Sequence, residues 1–452
     1  MKKDFLLTSE CARRLYYDYA AKLPIVDYHN HLCVADVASD RRFKNITQLW
    51  ISVDPYKHRA MRILGIPERY ITGDASDYEK FEKWYGCLPR LAVNALFDWS
   101  VMEFDTVFGM ELYPFTKSAE QVWMEVNEKL QDLSARKIWE KFDIEYCAPC
   151  ASLVEDLSFF DKGRGICPSL RGDDIVGVTS SFVKKLEQWT DISINSLKDF
   201  EKAIERRMGA FVAAGCRYSD HALDDGFDYV WDDGRNEERF QTVLRGEALT
   251  KKDKLHLSSS ILKFLATLYA KNNFTMQLHI GAKRSTSTRL REIAGVAGGY
   301  AGIGNCVNVK VLTNMLDDME KQEYGLPKTL LFTLNPADNA VMSILSGSYS
   351  KDGVEAIVSQ GPAWWWCDHY QGMMEMLDKL SVYGVLSTFV GMTTDSRSLL
   401  SFVRHDYFRR VLCQWIGEKV AKGVLPDNFD ILSDIVKKIC YCNAAKTIGT
   451  LQ

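Results

Sequence analysis

Histidine is scarce in this chain, with only eight among 452 residues. Segments rich in serine, glycine and proline, which are typical of flexible linkers, do not occur. No window supplies the roughly 18 uncharged apolar residues that a transmembrane helix needs. The sequence therefore predicts neither a membrane span nor a linker between separately folded domains.

Clusters of positive charge are also lacking. The formal net charge is −4, and the lysines and arginines form no run. This excludes the electrostatic footprint of a protein that binds nucleic acid or an anionic membrane surface. The first ten residues include Asp4 and Glu10 around a three-residue apolar patch, which is not the pattern of a secretory signal. We expect a cytoplasmic protein whose partner is a small molecule.

The twelve cysteines are scattered, and the only close pairs are Cys147 with Cys150 and Cys440 with Cys442. A redox or zinc pair at Cys147 and Cys150 is one interpretation, but no second pair lies at zinc-site spacing. We therefore expect reduced thiols that serve in packing.

Short apolar runs that end in polar residues alternate with long segments of helical periodicity, such as 195–214, 253–271 and 370–384. The eight predicted strands are Ile25–His29, Ile144–Cys147, Ile166–Arg171, Cys216–Asp220, Met276–His279, Thr329–Leu334, Ala356–Ser359 and Thr388–Met392. Hydrophobic residues make up 46% of the chain, enough for a large core. The pattern predicts an α/β fold, a (β/α)8 TIM-type barrel.

The first two predicted strands are much farther apart in sequence than one strand–helix unit requires, and the residues between them have helical periodicity. We expect a helical insertion after the first strand, at about 35–135. Because the sequence contains no linker-like segment, residues 1–452 are predicted to form a single metal-dependent barrel domain with this insertion.

In such a barrel, reactive groups lie at the carboxyl ends of the strands. His29 and His31 follow the first strand, and side chains two residues apart on an extended segment point to the same face. Asp395 follows the last predicted strand, which in a closed barrel is next to the first. Two imidazoles and one carboxylate would leave a metal ion an open coordination position, as in catalytic zinc sites. The alternatives are a chance His-x-His in a surface loop and a helix N-cap role for Asp395.

Other strand ends carry Arg171, Asp220 and His279. The guanidinium groups of Arg171 and Arg397 match a substrate carboxylate, although either could instead neutralise an acid such as Asp220. The run Trp364-Trp365-Trp366 could stack on a sugar ring, but at least two of the three are expected in packing.

These residues, taken in order, give the chain a specific likeness: it resembles the uronate isomerases of the amidohydrolase superfamily nearly from end to end. The motifs that carry the resemblance are Asp4-Phe5-Leu6-Leu7, Asp27-Tyr28-His29-Asn30-His31-Leu32, Tyr56 before Arg59-Ala60-Met61-Arg62, Thr72-Gly73-Asp74-Ala75-Ser76-Asp77, Ser219-Asp220-His221, Gln277-Leu278-His279-Ile280-Gly281-Ala282, Leu334-Asn335-Pro336, Trp364-Trp365, Thr394-Asp395-Ser396-Arg397 and Arg404 to Arg410.

The resemblance implies a bacterial enzyme that interconverts D-glucuronate with D-fructuronate and D-galacturonate with D-tagaturonate. It also implies a homo-oligomer and the barrel with its insertion. A single divalent ion, expected to be zinc, would be bound by His29, His31 and Asp395, and no organic cofactor is expected. The residues expected to contact substrate are Tyr56, Arg171, Asp220, His279, Trp364 and Arg397.

The residue types suit that chemistry. Isomerisation moves a proton between C2 and C1 through a cis-enediolate, so the site needs a base and a group that stabilises a negative oxygen. Asp395, close to the ion and to Arg397, is the expected base. Tyr56 is expected to shuttle a proton, and the ion to polarise the carbonyl or hydroxyl oxygens.

Some loops depart from the family pattern. The family's His before the active-site Tyr is Pro55 here, and its acidic segment after the fifth strand is Gly295-Val296-Ala297-Gly298-Gly299, without a carboxylate. Two alternatives therefore remain. The chain could be a metal-dependent hydrolase of a lactone, ester or amide, or a catalytically altered relative that only binds sugar acids.

Overall fold

A parallel sheet forms the centre of the computed structural model, which describes residues 3–451. The nine strands are β1 (Ile25–Asn30), β2 (Ile144–Ser152), β3 (Ser169–Arg171), β4 (Tyr218–Leu223), β5 (Thr275–Ile280), β6 (Ala282–Lys283), β7 (Gly302–Ile303), β8 (Thr329–Thr333) and β9 (Val358–Gln360). Seven of them make the central sheet, in the order β1-β2-β3-β4-β5-β8-β9, with every pairing parallel. The strands β6 and β7 form a separate antiparallel pair. The first seven predicted strands are confirmed.

The eighth prediction, a strand at Thr388–Met392, is wrong. Residues Leu386–Thr388 form a short 3-10 helix, and positive φ angles at Gly391 (77°) and Asp395 (46°) break the regular extended backbone that follows. The His29 N–H is bonded to the Thr393 hydroxyl (2.8 Å), a side chain, where a strand would offer a carbonyl. The segment nevertheless runs beside β1, so the predicted barrel architecture is confirmed with an irregular eighth member.

Helices surround the sheet, and the predicted helical segments 195–214, 253–271 and 370–384 are confirmed as α11, α13 and α17. The α-helices are α1 (Glu10–Arg14), α2 (Val34–Ala38), α3 (Ile46–Trp50), α4 (Pro55–Ile63), α5 (Asp77–Cys87), α6 (Ala95–Glu103), α7 (Ala119–Gln131), α8 (Ala135–Trp139), α9 (Asp173–Val176), α10 (Ser180–Thr190), α11 (Leu197–Ala213), α12 (Asn236–Leu244), α13 (Lys251–Lys271), α14 (Thr288–Ala294), α15 (Val309–Glu320), α16 (Asn339–Leu345), α17 (Tyr370–Tyr383), α18 (Val403–Ala421), α19 (Phe429–Lys437) and α20 (Asn443–Ile448).

The chain between β1 and β2 holds the helices α2 to α8, and they pack around a buried aromatic group that includes Trp50, Trp84 and Phe104. Within this segment, α4 begins at a well-formed cap: the Asp54 carboxylate accepts the N–H of Tyr56 at 2.9 Å. Pro55 occupies the first turn, where its missing N–H costs no hydrogen bond. This cap fixes the place of Tyr56. The assignment of residues 1–452 to a single domain stays a prediction.

Large side chains fill the interior of the barrel. The rings of Tyr28 and Tyr218 stack with their centroids 5.3 Å apart, and Tyr146 lies beside Tyr218 at 6.1 Å. Ala444, on α20, packs into the same buried cluster. The interior is therefore a packed core, and the space for a ligand lies at the carboxyl ends of the strands. Among residues 3–451, no helix is both long and apolar enough to cross a membrane.

Candidate metal and substrate site

Two imidazoles and a carboxylate converge at the carboxyl end of β1. His29 Nε2 lies 3.3 Å and His31 Nε2 3.1 Å from the same oxygen of Asp395, Oδ1. The barrel closure positions them, because Asp395 donates its N–H to the His29 carbonyl (3.0 Å) and His31 donates its N–H to the Ser396 carbonyl (2.8 Å). The three side chains predicted as metal ligands are thus brought together by the structure.

The carboxylate of Asp395 is buried and held at both oxygens. Its second oxygen, Oδ2, accepts a hydrogen bond from the Trp364 indole N–H at 2.8 Å. Burial alone would raise the pKa of Asp395, but the contacts with His29 and His31 lower it well below its usual range. The acid is therefore ionised throughout the neutral pH range. Trp364 acts on Asp395 through this bond.

Asp27, for which no role was predicted, fixes the segment that carries Asp395. Its buried carboxylate accepts hydrogen bonds from the Thr393 hydroxyl (2.7 Å), from the N–H of Thr394 (2.7 Å) and from Asn30 Nδ2 (2.9 Å). The only sequence signal was an acid within an otherwise apolar run. These bonds hold the irregular segment against β1 in place of a regular ladder of backbone hydrogen bonds.

His279, at the end of β5, lies next to the same cluster. Its ring centroid is 4.5 Å from that of His29, and it also contacts Phe332 and Trp364. Burial, followed by the neighbouring His29, lowers the pKa of His279 well below its usual range, so the imidazole is neutral. Its Nε2 is buried and has no hydrogen-bond partner among the described residues. The atom is available to a ligand.

Arg171 and Asp220 lie on neighbouring strands. The Arg171 guanidinium is 2.9 Å from Asp173 and 3.8 Å from Asp220, which is almost fully buried. Candidate ligand atoms of His29, Asp220 and His279 lie within 4.8 Å of one another. The predicted substrate-binding residues of β3, β4 and β5 therefore adjoin the imidazole and carboxylate cluster.

A cavity of about 930 Å³ opens above these residues. Of the predicted site residues, it is lined by His31, Tyr56, Arg171, Asp395 and Arg397, while His29, Asp220, His279 and Trp364 are almost fully buried next to them. Trp365 and Trp366 complete one wall. The predicted residues thus meet at one cavity, with Trp364 packed behind it.

Arg397 differs from Arg171 and Arg284, two other arginines that line this cavity. Arg171 is paired with Asp173, and Arg284 with Asp224 at 2.7 Å. No ion pair or hydrogen bond to another residue of the described chain occupies the Arg397 guanidinium. An anionic ligand could therefore bind Arg397 without displacing a protein carboxylate.

The Tyr56 side chain lies between this cavity and Arg404. The Arg404 guanidinium is 5.1 Å from the centre of the Tyr56 ring, and the Trp366 ring approaches from another side at 5.3 Å. Burial raises the pKa of the Tyr56 phenol well above its usual range. Its hydroxyl has no partner within residues 3–451, so the proton of the phenol is kept and is free to be donated.

Asp368 is ion-paired with Arg404 and makes the stability of the fold depend on pH. Its carboxylate is buried 3.6 Å from the Arg404 guanidinium, and burial raises its pKa to about 7 against that attraction. Since the carboxyl ionises near 3.8 when unfolded, the stability it contributes is complete below about pH 4 and is lost as the pH rises through about 7.

The free energy of unfolding should therefore fall less between about pH 4 and pH 7 in Asp368→Asn than in the wild type. The difference between the two falls should be up to about 4 kcal/mol. The amide stays neutral at every pH and so cannot ionise in the buried site. Urea unfolding of both proteins across this range measures the two slopes. Equal slopes would contradict the assignment of this pH dependence to Asp368.

Comparison with known proteins identifies the family of this chain. Residues 1–448 match the model of the glucuronate isomerase family. A uronate isomerase of Caldanaerobacter subterraneus subsp. tengcongensis is 39% identical over 462 residues, covering 99% of this chain and 99% of that protein. A uronate isomerase of Clostridium perfringens is 37% identical over 459 residues, covering 99% and 98%.

A solved structure agrees with these alignments. The crystal structure of a uronate isomerase from Thermotoga maritima superposes with a TM-score of 0.90 at 27% sequence identity, covering 99% of each chain. The likeness therefore includes the helical segment between β1 and β2 as well as the barrel.

Proposed function

This chain belongs to the glucuronate isomerase family, and we propose that it converts D-glucuronate to D-fructuronate and D-galacturonate to D-tagaturonate. As a member of this family it is an enzyme of the aldose–ketose isomerase type. The observation that carries the choice of substrate is the pairing of the His29, His31 and Asp395 cluster with the unpaired Arg397 at one cavity. A sugar acid presents hydroxyl and carbonyl oxygens to the cluster and a carboxylate to the arginine.

The donor set fits one divalent metal ion. Asp395 Oδ1 lies 3.3 Å from His29 Nε2 and 3.1 Å from His31 Nε2. Zinc is commonly bound by such a combination of imidazole nitrogens and a carboxylate oxygen. The fit extends to His279, whose orphaned Nε2 faces the same cluster and could bind a substrate oxygen. We propose a single zinc ion on His29, His31 and Asp395.

A bound ion would polarise the carbonyl and hydroxyl oxygens of the substrate and so make the C2 proton more acidic. Asp395 removes that proton and returns it to C1, through a cis-enediolate. Its low pKa keeps it ionised but makes it a weak base, so the negative oxygen that develops on the substrate needs stabilisation by a positive charge. Trp364 keeps the carboxylate in place by its bond to Oδ2.

Tyr56 carries the second proton in this proposal. Isomerisation also moves a proton between the oxygens on C1 and C2, and a protonated, unbonded phenol at the cavity wall suits that task. The Arg404 guanidinium beside the ring favours transient loss of the phenolic proton.

The remaining assignments stay predictions. Arg171, Asp220 and His279 are proposed as substrate-binding residues. Trp364, for which substrate contact was also predicted, is proposed to act on the substrate only through its hydrogen bond to Asp395. A homo-oligomer in the cytoplasm is likewise part of the proposal.

The test of the function is incubation of metal-replete protein with D-glucuronate and D-galacturonate, with formation of the ketose followed by nuclear magnetic resonance. Ketose formation without hydrolysis of a matched lactone supports the isomerase. Lactone hydrolysis without ketose formation would favour the hydrolase, and binding of hexuronates without any turnover would favour the altered sugar-acid-binding relative.

Replacing Arg397 should expose its role in binding the substrate carboxylate. Arg397→Met is expected to lower kcat/KM for D-glucuronate by roughly 10- to 100-fold, the value of a charged hydrogen bond lost. Arg284→Met is the matched control, because Arg284 lines the same cavity but is already paired with Asp224. Equal effects of the two substitutions would argue against a special role for Arg397.

A further inference from the structure

Cys150, near the end of β2, lies in the site and not only in packing, which corrects the expectation for this thiol. Its sulfur is 3.5 Å from His29 Nδ1 and 3.3 Å from Asp220 Oδ1. Cys147, three residues earlier, is buried and accepts a hydrogen bond from Asn30, as expected of a packing thiol. The two members of the pair therefore differ in their surroundings.

The direction of these hydrogen bonds follows from the chemistry of the three groups. The Asp220 carboxylate, close to Arg171, can only accept, so the hydrogen between it and the sulfur belongs to the thiol. The sulfur then has only lone pairs for His29, and the hydrogen between them belongs to Nδ1. A neutral His29 with its hydrogen on Nδ1 has no hydrogen on Nε2. The lone pair of Nε2 could then bind a metal ion beside Asp395.

We infer that Cys150 is a positioning residue for the metal ligand His29: it accepts the Nδ1–H, donates its S–H to Asp220, and so presents His29 Nε2 to the ion. This inference rests on the proposed function, because it needs the metal site. Metal-binding histidines commonly donate their second ring N–H to a carboxylate, carbonyl or water, which fixes the ring and its tautomer. Here a thiol stands between the imidazole and the carboxylate.

The aromatic neighbours of His29 do not determine its tautomer. The rings of His31, His279 and Phe332 lie 5.3, 4.5 and 6.4 Å from it, centroid to centroid. Ring stacking restricts the plane of an imidazole but does not choose which nitrogen carries the hydrogen. The polar neighbours of the two ring nitrogens are Asp395 at Nε2 and Cys150 at Nδ1, so Cys150 is the contact that can hold a hydrogen on Nδ1.

The same sulfur connects the metal ligand to the predicted substrate-binding pair. Asp220 contacts both Cys150 and the Arg171 guanidinium, so the ring of His29 and the position of Arg171 share one carboxylate. A change at Cys150 should therefore act first on metal affinity, through His29, and only then on the substrate.

The test is the zinc affinity of metal-stripped protein, measured by competition with a chromophoric chelator in the absence of substrate. Cys150→Ala is expected to weaken zinc binding by roughly 10- to 100-fold, as for other partners of metal-ligating histidines. Cys150→Ser, whose hydroxyl can make both hydrogen bonds, should restore most of the affinity. Cys413→Ala is the matched control, because Cys413 is a buried thiol of α18 outside the site.

Substitution with cobalt(II) separates positioning from direct ligation. If Cys150 positions His29, the wild-type cobalt protein shows no sulfur-to-cobalt charge-transfer band in the near ultraviolet, and Cys150→Ala changes only the ligand-field bands. A charge-transfer band that disappears in Cys150→Ala would make the sulfur a ligand and overturn the inference. Wild-type zinc affinity in Cys150→Ala would overturn it as well.

Separate controls distinguish a loss of folding from a loss of metal binding. Circular dichroism shows whether the metal-stripped variants fold, and Cys150→Val, which keeps the bulk but has no polar atom, carries the same expectation if Cys150→Ala does not fold. If the wild type binds metal and is active, and the Cys150 variants bind zinc equally well, the inference about Cys150 is wrong but the proposed function stands. A wild-type chain that binds no divalent ion defeats the metal site of the proposed function, and this inference with it.

Discussion

Asp395→Asn is expected to lower the turnover of D-glucuronate by about two or more orders of magnitude while the barrel stays folded. The amide has nearly the shape of the carboxylate and can still accept the Trp364 indole hydrogen, so the packing around it is retained. It cannot take up a proton at neutral pH, and the step between C2 and C1 loses its base. The measurement is kcat from initial rates of ketose formation, with circular dichroism as the check on folding.

A matched control is available in Asp318→Asn. Asp318 is a buried acid on α15 that bonds to Tyr229 at 2.5 Å, outside the cavity, so its replacement tests the effect of losing a buried carboxylate as such. Turnover should remain near that of the wild type. Near-wild-type kinetics in Asp395→Asn would refute the role of Asp395 as the base.

Most of this site could be predicted because its parts obey simple local rules. His29 and His31 are two residues apart at the end of an apolar run, and the alternation of side chains in an extended chain places both rings on one face. Asp395 follows the last apolar run, and closure of a barrel brings last and first strands together. These inferences need only the order of the elements, and the contacts at 3.3 and 3.1 Å agree with them.

What could not be predicted depends on contacts between residues far apart in the chain. The run Thr388–Met392 has the composition of a strand, but the residues that follow it, Thr393 and Thr394, bond to the side chain of Asp27 and not to a regular backbone ladder. The role of Cys150 depends on His29, 121 residues away. Sequence periodicity cannot predict such contacts, because it indicates only on which face of a helix or strand a side chain lies.

The departures from the family pattern acquire a spatial meaning in the structure. Pro55 and the segment Gly295–Gly299 were noted as separate changes, yet a side-chain carbon on Gly299 would lie 2.2 Å from the Pro55 carbonyl oxygen. With a φ of 80°, Gly299 is also in the left-handed region that favours glycine. The two departures from the family pattern therefore lie at one place in the structure, next to Tyr56.

His31→Asn is expected to remove the metal ion and, with it, at least about 99% of the turnover, a larger loss than the 10- to 100-fold effect of replacing a ligand's partner. The His31 side chain is 20% exposed at the cavity wall, so its replacement disturbs the packing little. Metal content after dialysis and kcat are the measurements, and His256→Asn, on α13 beside Asp233, is the control. Because Asp395 remains as the base, excess zinc should restore part of the turnover in His31→Asn and none in Asp395→Asn. A His31→Asn protein that keeps its ion and its rate would contradict the proposed ligand set, since the remaining imidazole and carboxylate would then suffice to hold the metal.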